Sequence, residues 1–193
     1  MPERKNHDPD LLTANAAADP GSMASADATS EAATLAQTIA ARLESCGQTV
    51  ALCETAAGGL MSAALLAVPG ASAFYVGAAI AYSRGSRQAL LDLRADDVRG
   101  LEPMSEPMVL AFARHTRARL GSDWGIAELG IAGPASSPYG GPAGVAVLAV
   151  SGPIAITRRI ETGSSDRATN MRAFASAGLA LLIEAIEDAA SVR

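Results

Sequence analysis

Two short runs of small apolar residues end in glycine turns. TVALCE at 49–54 leads into Thr55-Ala56-Ala57-Gly58-Gly59, and WGIAELGIAG at 124–133 leads into Pro134. Each run reads as a strand, that of TVALCE buried, and an apolar helix opens directly after the first turn. Buried strands need a layer of helices on each face of their sheet, so these two runs restrict the chain to an α/β arrangement.

The rest of the sequence fits that frame. Ser30 caps a helix over EAATLAQTIAARLESCG that ends near Gly47, and Gly58-Gly59 open a helix that runs through Leu66. Pro69-Gly70 mark a turn, and FYVGAAIAYS at 74–83 reads as an interior strand followed by a short helix over SRQALLDL. Ser105 caps EPMVLAFARHTRARL, with Pro107 in the first turn and Gly121 at the end. Val109, Phe112, Ala113, Thr116 and Leu120 share one face of that helix. GVAVLAV and IAITRRIET read as a hairpin across Ser151-Gly152-Pro153. A last helix starts near Asp166, with Met171, Phe174, Ala175, Gly178, Leu182, Ala185, Ile186 and Ala189 on its apolar stripe. The expectation is one domain over residues 30–193, a three-layer α/β/α fold with a mixed, mostly parallel sheet. Residues 1–29, rich in Ala, Asp, Ser, Pro and Gly, are expected to form a disordered tail.

Composition excludes several functions. The net charge of −5, with the arginines dispersed, argues against nucleic acid as a partner. Two cysteines and two histidines, lacking ligand-type spacing, argue against a metal site. No apolar run approaches the ~20 residues of a membrane helix, and the N-terminus lacks the apolar core of a secretory signal. Reduced thiols at Cys46 and Cys53 suit a cytoplasmic protein, with Cys53 a small core residue.

In open α/β sheets, ligands sit beyond the carboxyl ends of the strands, where turns like these converge. Glycine lets backbone N–H groups approach a phosphate or a developing oxyanion. A glycine pair alone is equally a tight turn between strand and helix, so other residues must decide. The first turn departs from GxGxxG and no Walker lysine follows, which sets dinucleotide and P-loop folds aside. Tyr82 stands at a strand end, where a phenol can orient a ligand or pass a proton, and Arg87 lies on the helix beyond it.

Taken in series, the motifs resemble one family. Glu54-Thr55-Ala56-Ala57-Gly58-Gly59-Leu60, Val68-Pro69-Gly70-Ala71-Ser72, Ala81-Tyr82-Ser83-Arg84-Gly85-Ser86-Arg87, Gly130-Ile131-Ala132-Gly133-Pro134 and Gly141-Pro142-Ala143-Gly144-Val145 follow the order of the CinA C-terminal domain family. That family includes bacterial nicotinamide-nucleotide amidases. The resemblance covers about residues 31–190 and implies metal- and cofactor-free hydrolysis of nicotinamide mononucleotide, by a homodimer.

The resemblance also implies site residues. Where the family reads Glu-Ser-Cys-Thr-Gly-Gly, this chain has Thr55 at the nucleophile position and alanine at 56 and 57. Arg87 stands in place of the usual lysine, Arg84 in place of asparagine and Leu129 in place of threonine. The catalytic set is therefore Thr55, Tyr82 and Arg87. The substrate-binding set is Glu54, Ala56, Gly58, Gly59, Gly130, Ala132 and Gly133. Arginine can hold an anion but does not release its proton as a desolvated lysine does. An inert relative that binds a nucleotide or regulates a partner is the alternative.

Overall fold

The structure, a computed structural model, describes residues 20–137 and 140–192, with side chains from residue 31 onward. The element order is α1 (Pro20–Cys46), β1 (Val50–Glu54), α2 (Leu60–Leu66), β2 (Tyr75–Ile80), α3 (Arg84–Leu91), α4 (Glu106–Leu120), β3 (Trp124–Ile131), β4 (Val145–Ser151), β5 (Ala155–Glu161) and α5 (Arg167–Ser191). α1 starts at Pro20, earlier than the Ser30 cap predicts. The tail expected over residues 1–29 lies outside the described residues as far as residue 19. Among the described residues no helix is long and apolar enough to cross a membrane.

One five-stranded sheet has the order β2-β1-β3-β4-β5. β1 pairs in parallel with both β2 and β3, while β3–β4 and β4–β5 are antiparallel. Only β4 therefore runs against the other strands. β1 and β4 are buried along their whole length, as runs that are apolar up to a last polar residue, Glu54 and Ser151, require. β2 is an edge strand and not the interior strand its composition suggests: Val76 and Ile80 stay exposed. Its small residues suit a central strand and a lightly covered edge equally well.

The pleat sends neighbouring residues into two cores. Leu52, Trp124, Ile126 and Leu148 pack against α1, α2 and α5, together with Ile39, Leu43, Met61 and Phe174. Cys53, Ala127, Leu129 and Val147 face α3 and α4, meeting Leu91, Val109 and Phe112. This is the three-layer architecture expected. Each fully buried Leu, Ile or Phe stabilises it by ~1.5–3 kcal/mol.

Pairing in parallel places the carboxyl ends of three strands at one edge. Cys53 lies beside Ala127, and Glu54 beside Ile80. The first turn, the stretch after β2 and the end of β3 therefore converge, although they are far apart in sequence. Ser83 starts α3 by accepting from Ser86 N–H at 3.1 Å, and Ser86 Oγ accepts from Ser83 N–H at 2.9 Å. That reciprocal cap fixes where Arg84 and Arg87 leave the helix.

Candidate functional site

The turn after β1 is held by two buried carboxylates of the chain itself. Glu54 accepts from the N–H groups of Gly59 (2.8 Å), Met61 (3.2 Å) and Ser62 (2.9 Å), and from the Ser62 hydroxyl (2.5 Å). It thereby caps the amino end of α2, where orphan donors favour negative charge. Glu128, on β3, accepts through Oε2 from Thr55 N–H (3.0 Å) and Ala57 N–H (2.9 Å). Several amides that the sequence offers to a substrate oxyanion are thus occupied internally.

Thr55 is almost fully buried. Its hydroxyl donates to the Glu128 carbonyl oxygen at 3.1 Å and accepts weakly from Gly130 N–H at 3.4 Å. Here a cavity of about 680 Å3 opens. Leu93, Val98, Met104, Met108, Phe112 and Leu129 give it an apolar side, and Arg84, Arg87, Arg94 and Arg167 line it as well. No aspartate or glutamate is among its described lining residues. An apolar hollow with convergent cations suits a small anionic ligand with a flat, uncharged part.

Arg87 is the most enclosed of these cations. Its guanidinium carbon lies 5.1 Å from the centre of the Phe112 ring, and its Nε is buried without a hydrogen-bond partner among the described residues. Arg94 pairs with Asp92 at 3.4 Å on the exposed rim. Tyr82 lines the cavity but is 64% exposed, so its phenol sits at the solvent side.

Burial pushes the Glu128 carboxyl up to about 7, although amide hydrogen bonds from the turn pull it down; nearby Glu54 adds to the rise. Burial likewise pushes the Cys53 thiol up to about 12, with the Glu128 charge adding to it. Cys53 therefore stays protonated near neutrality and is no nucleophile there.

The second turn is clamped from α5. Asn170, fully buried, donates through Nδ2 to the carbonyls of Ala132 and Ser164, both at 2.9 Å, and accepts from the Thr162 hydroxyl at 2.5 Å. Arg167 donates to the Gly133 carbonyl at 2.9 Å. These contacts fix the backbone of Ala132 and Gly133 against the cavity wall.

The model of the CinA C-terminal domain matches residues 32–186. The chain belongs to the CinA C-terminal domain family. A CinA-like protein of Parasynechococcus marenigrum is 46% identical over 119 residues, 62% of this chain and 28% of the relative. One from Anaeromyxobacter is 34% identical over 147 residues, 75% of this chain and 36% of the relative. The chain thus spans only about a third of the length of these curated relatives. Among solved structures, a CinA superfamily protein of Klebsiella pneumoniae superposes with a TM-score of 0.75 at 25% identity, covering 81% of this chain and 98% of that one. The competence damage-inducible protein A from another Klebsiella pneumoniae strain gives 0.73 at 28% identity, covering 79% and 95%.

Of the residues singled out in the sequence, Thr55, Ala56, Tyr82, Arg87, Gly130, Ala132 and Gly133 line the cavity together. Glu54, Gly58 and Gly59 fall outside its lining, on the α2 side of the turn. Sequence reading missed Glu128, Arg94, Arg167 and Asn170. Glu128 carried a signal: one carboxylate inside the apolar run WGIAELGIAG must be paired or perturbed once the strand is buried.

Proposed function

We propose that the chain binds a pyridine mononucleotide and hydrolyses its carboxamide, converting nicotinamide mononucleotide to nicotinic acid mononucleotide and ammonia. What supports this reading is the Thr55 hydroxyl on the wall of an arginine-lined cavity. Guanidinium groups bind phosphate oxygens with matched geometry, and the apolar side formed by Leu93, Met108 and Phe112 suits the pyridine ring. The Thr55 oxygen bonds to the amide carbon while its proton passes, with help from Tyr82, to the departing nitrogen. The C–N bond breaks and ammonia leaves. Water then cleaves the ester, restoring the hydroxyl and releasing the acid. In the tetrahedral intermediate the negative charge gathers on the former amide carbonyl oxygen and returns as the C–N bond breaks, while Gly130 N–H orients the attacking Thr55 oxygen.

A second reading, ligand binding without turnover, draws on a specific observation. The Thr55 proton is engaged by a backbone carbonyl, and Arg87 occupies the position where the family's lysine would accept a proton. The double variant Thr55→Ser/Arg87→Lys separates the two. Ammonia release well above the parent's supports the amidase reading; a variant that binds the mononucleotide but stays inert supports the second. A homodimer belongs to the same proposal, since the open edge β2 leaves Val76 and Ile80 exposed, and α2, which packs against β2, leaves Leu60 and Leu66 exposed. Sedimentation at the mass of a single chain would remove it.

A further inference from the structure

Glu128 does more than fill space beneath the site. Two of its three oxygens serve the first turn in different ways. The carbonyl oxygen holds the Thr55 hydroxyl, and Oε2 holds the Thr55 and Ala57 amides. Oε1 is buried with no hydrogen-bond partner among the described residues. That unpartnered oxygen has room only because residue 130 is glycine: a methyl group there would run into Oε1 and lie 2.7 Å from the Phe174 ring. Gly130 is also the residue whose N–H reaches Thr55 Oγ1. The carboxyl group therefore lies between the two glycine turns and bears on the reactive position from below.

We infer that Glu128 is the positioning residue of the site, a proton-sensitive clamp whose ionised carboxylate holds the Thr55–Ala57 turn and sets the Thr55 hydroxyl against the cavity. An ionised carboxylate is acceptor-only and grips both amides; protonation weakens those bonds and adds a donor that has no acceptor at Oε1. The surroundings permit the change. Among the described residues the titratable groups that act on it are Glu54 and Cys53 on β1, and α5 presents Phe174 beside its Oε1 at Gly130. No cation among the described residues holds the charge in place; the backbone amides of Ala57, Thr55 and Ala56 do so. The carboxyl, raised to about 7, changes state within the neutral range. The inference rests on the reading of the cavity as a nucleotide site only for its functional consequence.

The test has two arms. In 15N-labelled protein, the Thr55 and Ala57 amide resonances are followed from about pH 5 to about pH 9. They should titrate with one shared midpoint near neutrality, while amides elsewhere in β1 stay still. In Glu128→Gln the shared titration should vanish. In parallel, calorimetry with nicotinamide mononucleotide should show several-fold weaker binding below that midpoint for the parent and flat affinity for Glu128→Gln. Glu128→Asp should restore a pH-dependent profile. If the two amides do not move together in the parent, the clamp is refuted, and this holds whether or not the variant folds. If they do move together but the mononucleotide binds at no pH, the clamp stands and the nucleotide reading falls.

Discussion

Replacing Gly130 by alanine probes how tightly the site is built. The added methyl meets Glu128 Oε1 and sits 2.7 and 2.8 Å from two carbons of the fully buried Phe174 ring, inside ordinary van der Waals contact. Phe174 projects from α5 into the core and has little room to retreat. Overpacking of this kind costs ~1–3 kcal/mol. Turning the carboxylate away also lengthens its bonds from Thr55 and Ala57, and a hydrogen bond to a charged group contributes ~1.5–3 kcal/mol. Together the loss is about 3 kcal/mol, because the structure relieves one clash partly at the expense of the other. For a chain of this size that lowers the melting temperature by roughly 6–12 °C. Gly100→Ala provides the contrast. Its φ is +79° and nothing lies within 4 Å, so it carries only the left-handed backbone cost of ~1–2 kcal/mol. Melts followed by circular dichroism should place Gly130→Ala clearly below Gly100→Ala. A Gly130→Ala protein melting within about 2 °C of the parent would refute the packing described around Glu128.

Three further outcomes are expected. Glu128 binds its proton more tightly folded than unfolded, so stability should fall as pH rises from about 4.5 to about 7 and level off above; that interval corresponds to ~3 kcal/mol, and the slope should be lost in Glu128→Gln in denaturant titrations. A stability that rises with pH across that window in the parent, relative to the variant, would contradict this. Asn170→Ala removes the clamp on Ala132 and Ser164 and should cost ~2–4 kcal/mol in the same assay, whereas a neutral effect would show that the second turn holds itself. Arg87→Met keeps an apolar stem against Phe112 but removes the charge, and should weaken mononucleotide binding by roughly 10–100-fold in calorimetry. Unchanged affinity would move the anion site to the other arginines.

Much of this fold is legible in the chain because its signals are local. Ser105, Gly121 and Asp166 mark helix ends by their own chemistry, and Ser105 and Asp166 do accept from Met108 and Thr169 N–H groups. The apolar runs at β1 and β4 announce burial on both faces. The turn after β1 could be placed because a glycine pair between strand and helix has few other uses. What could not be read depends on distant pairing. Glu128 meets Thr55 across 73 positions, and only the β1–β3 register brings them together. The same holds for Asn170, whose partner Ala132 lies 38 positions away. β2 shows the limit of composition: a strand of small residues has the same pattern at an edge as in the middle, and sheet order alone decides.

The most direct test of the account is ammonia release from nicotinamide mononucleotide by the purified protein, with Thr55→Ala beside it. Steady release by the parent that disappears in Thr55→Ala is the predicted result. Release that survives the substitution would contradict the role given to Thr55, and no release from the parent despite tight binding would contradict the amidase reading.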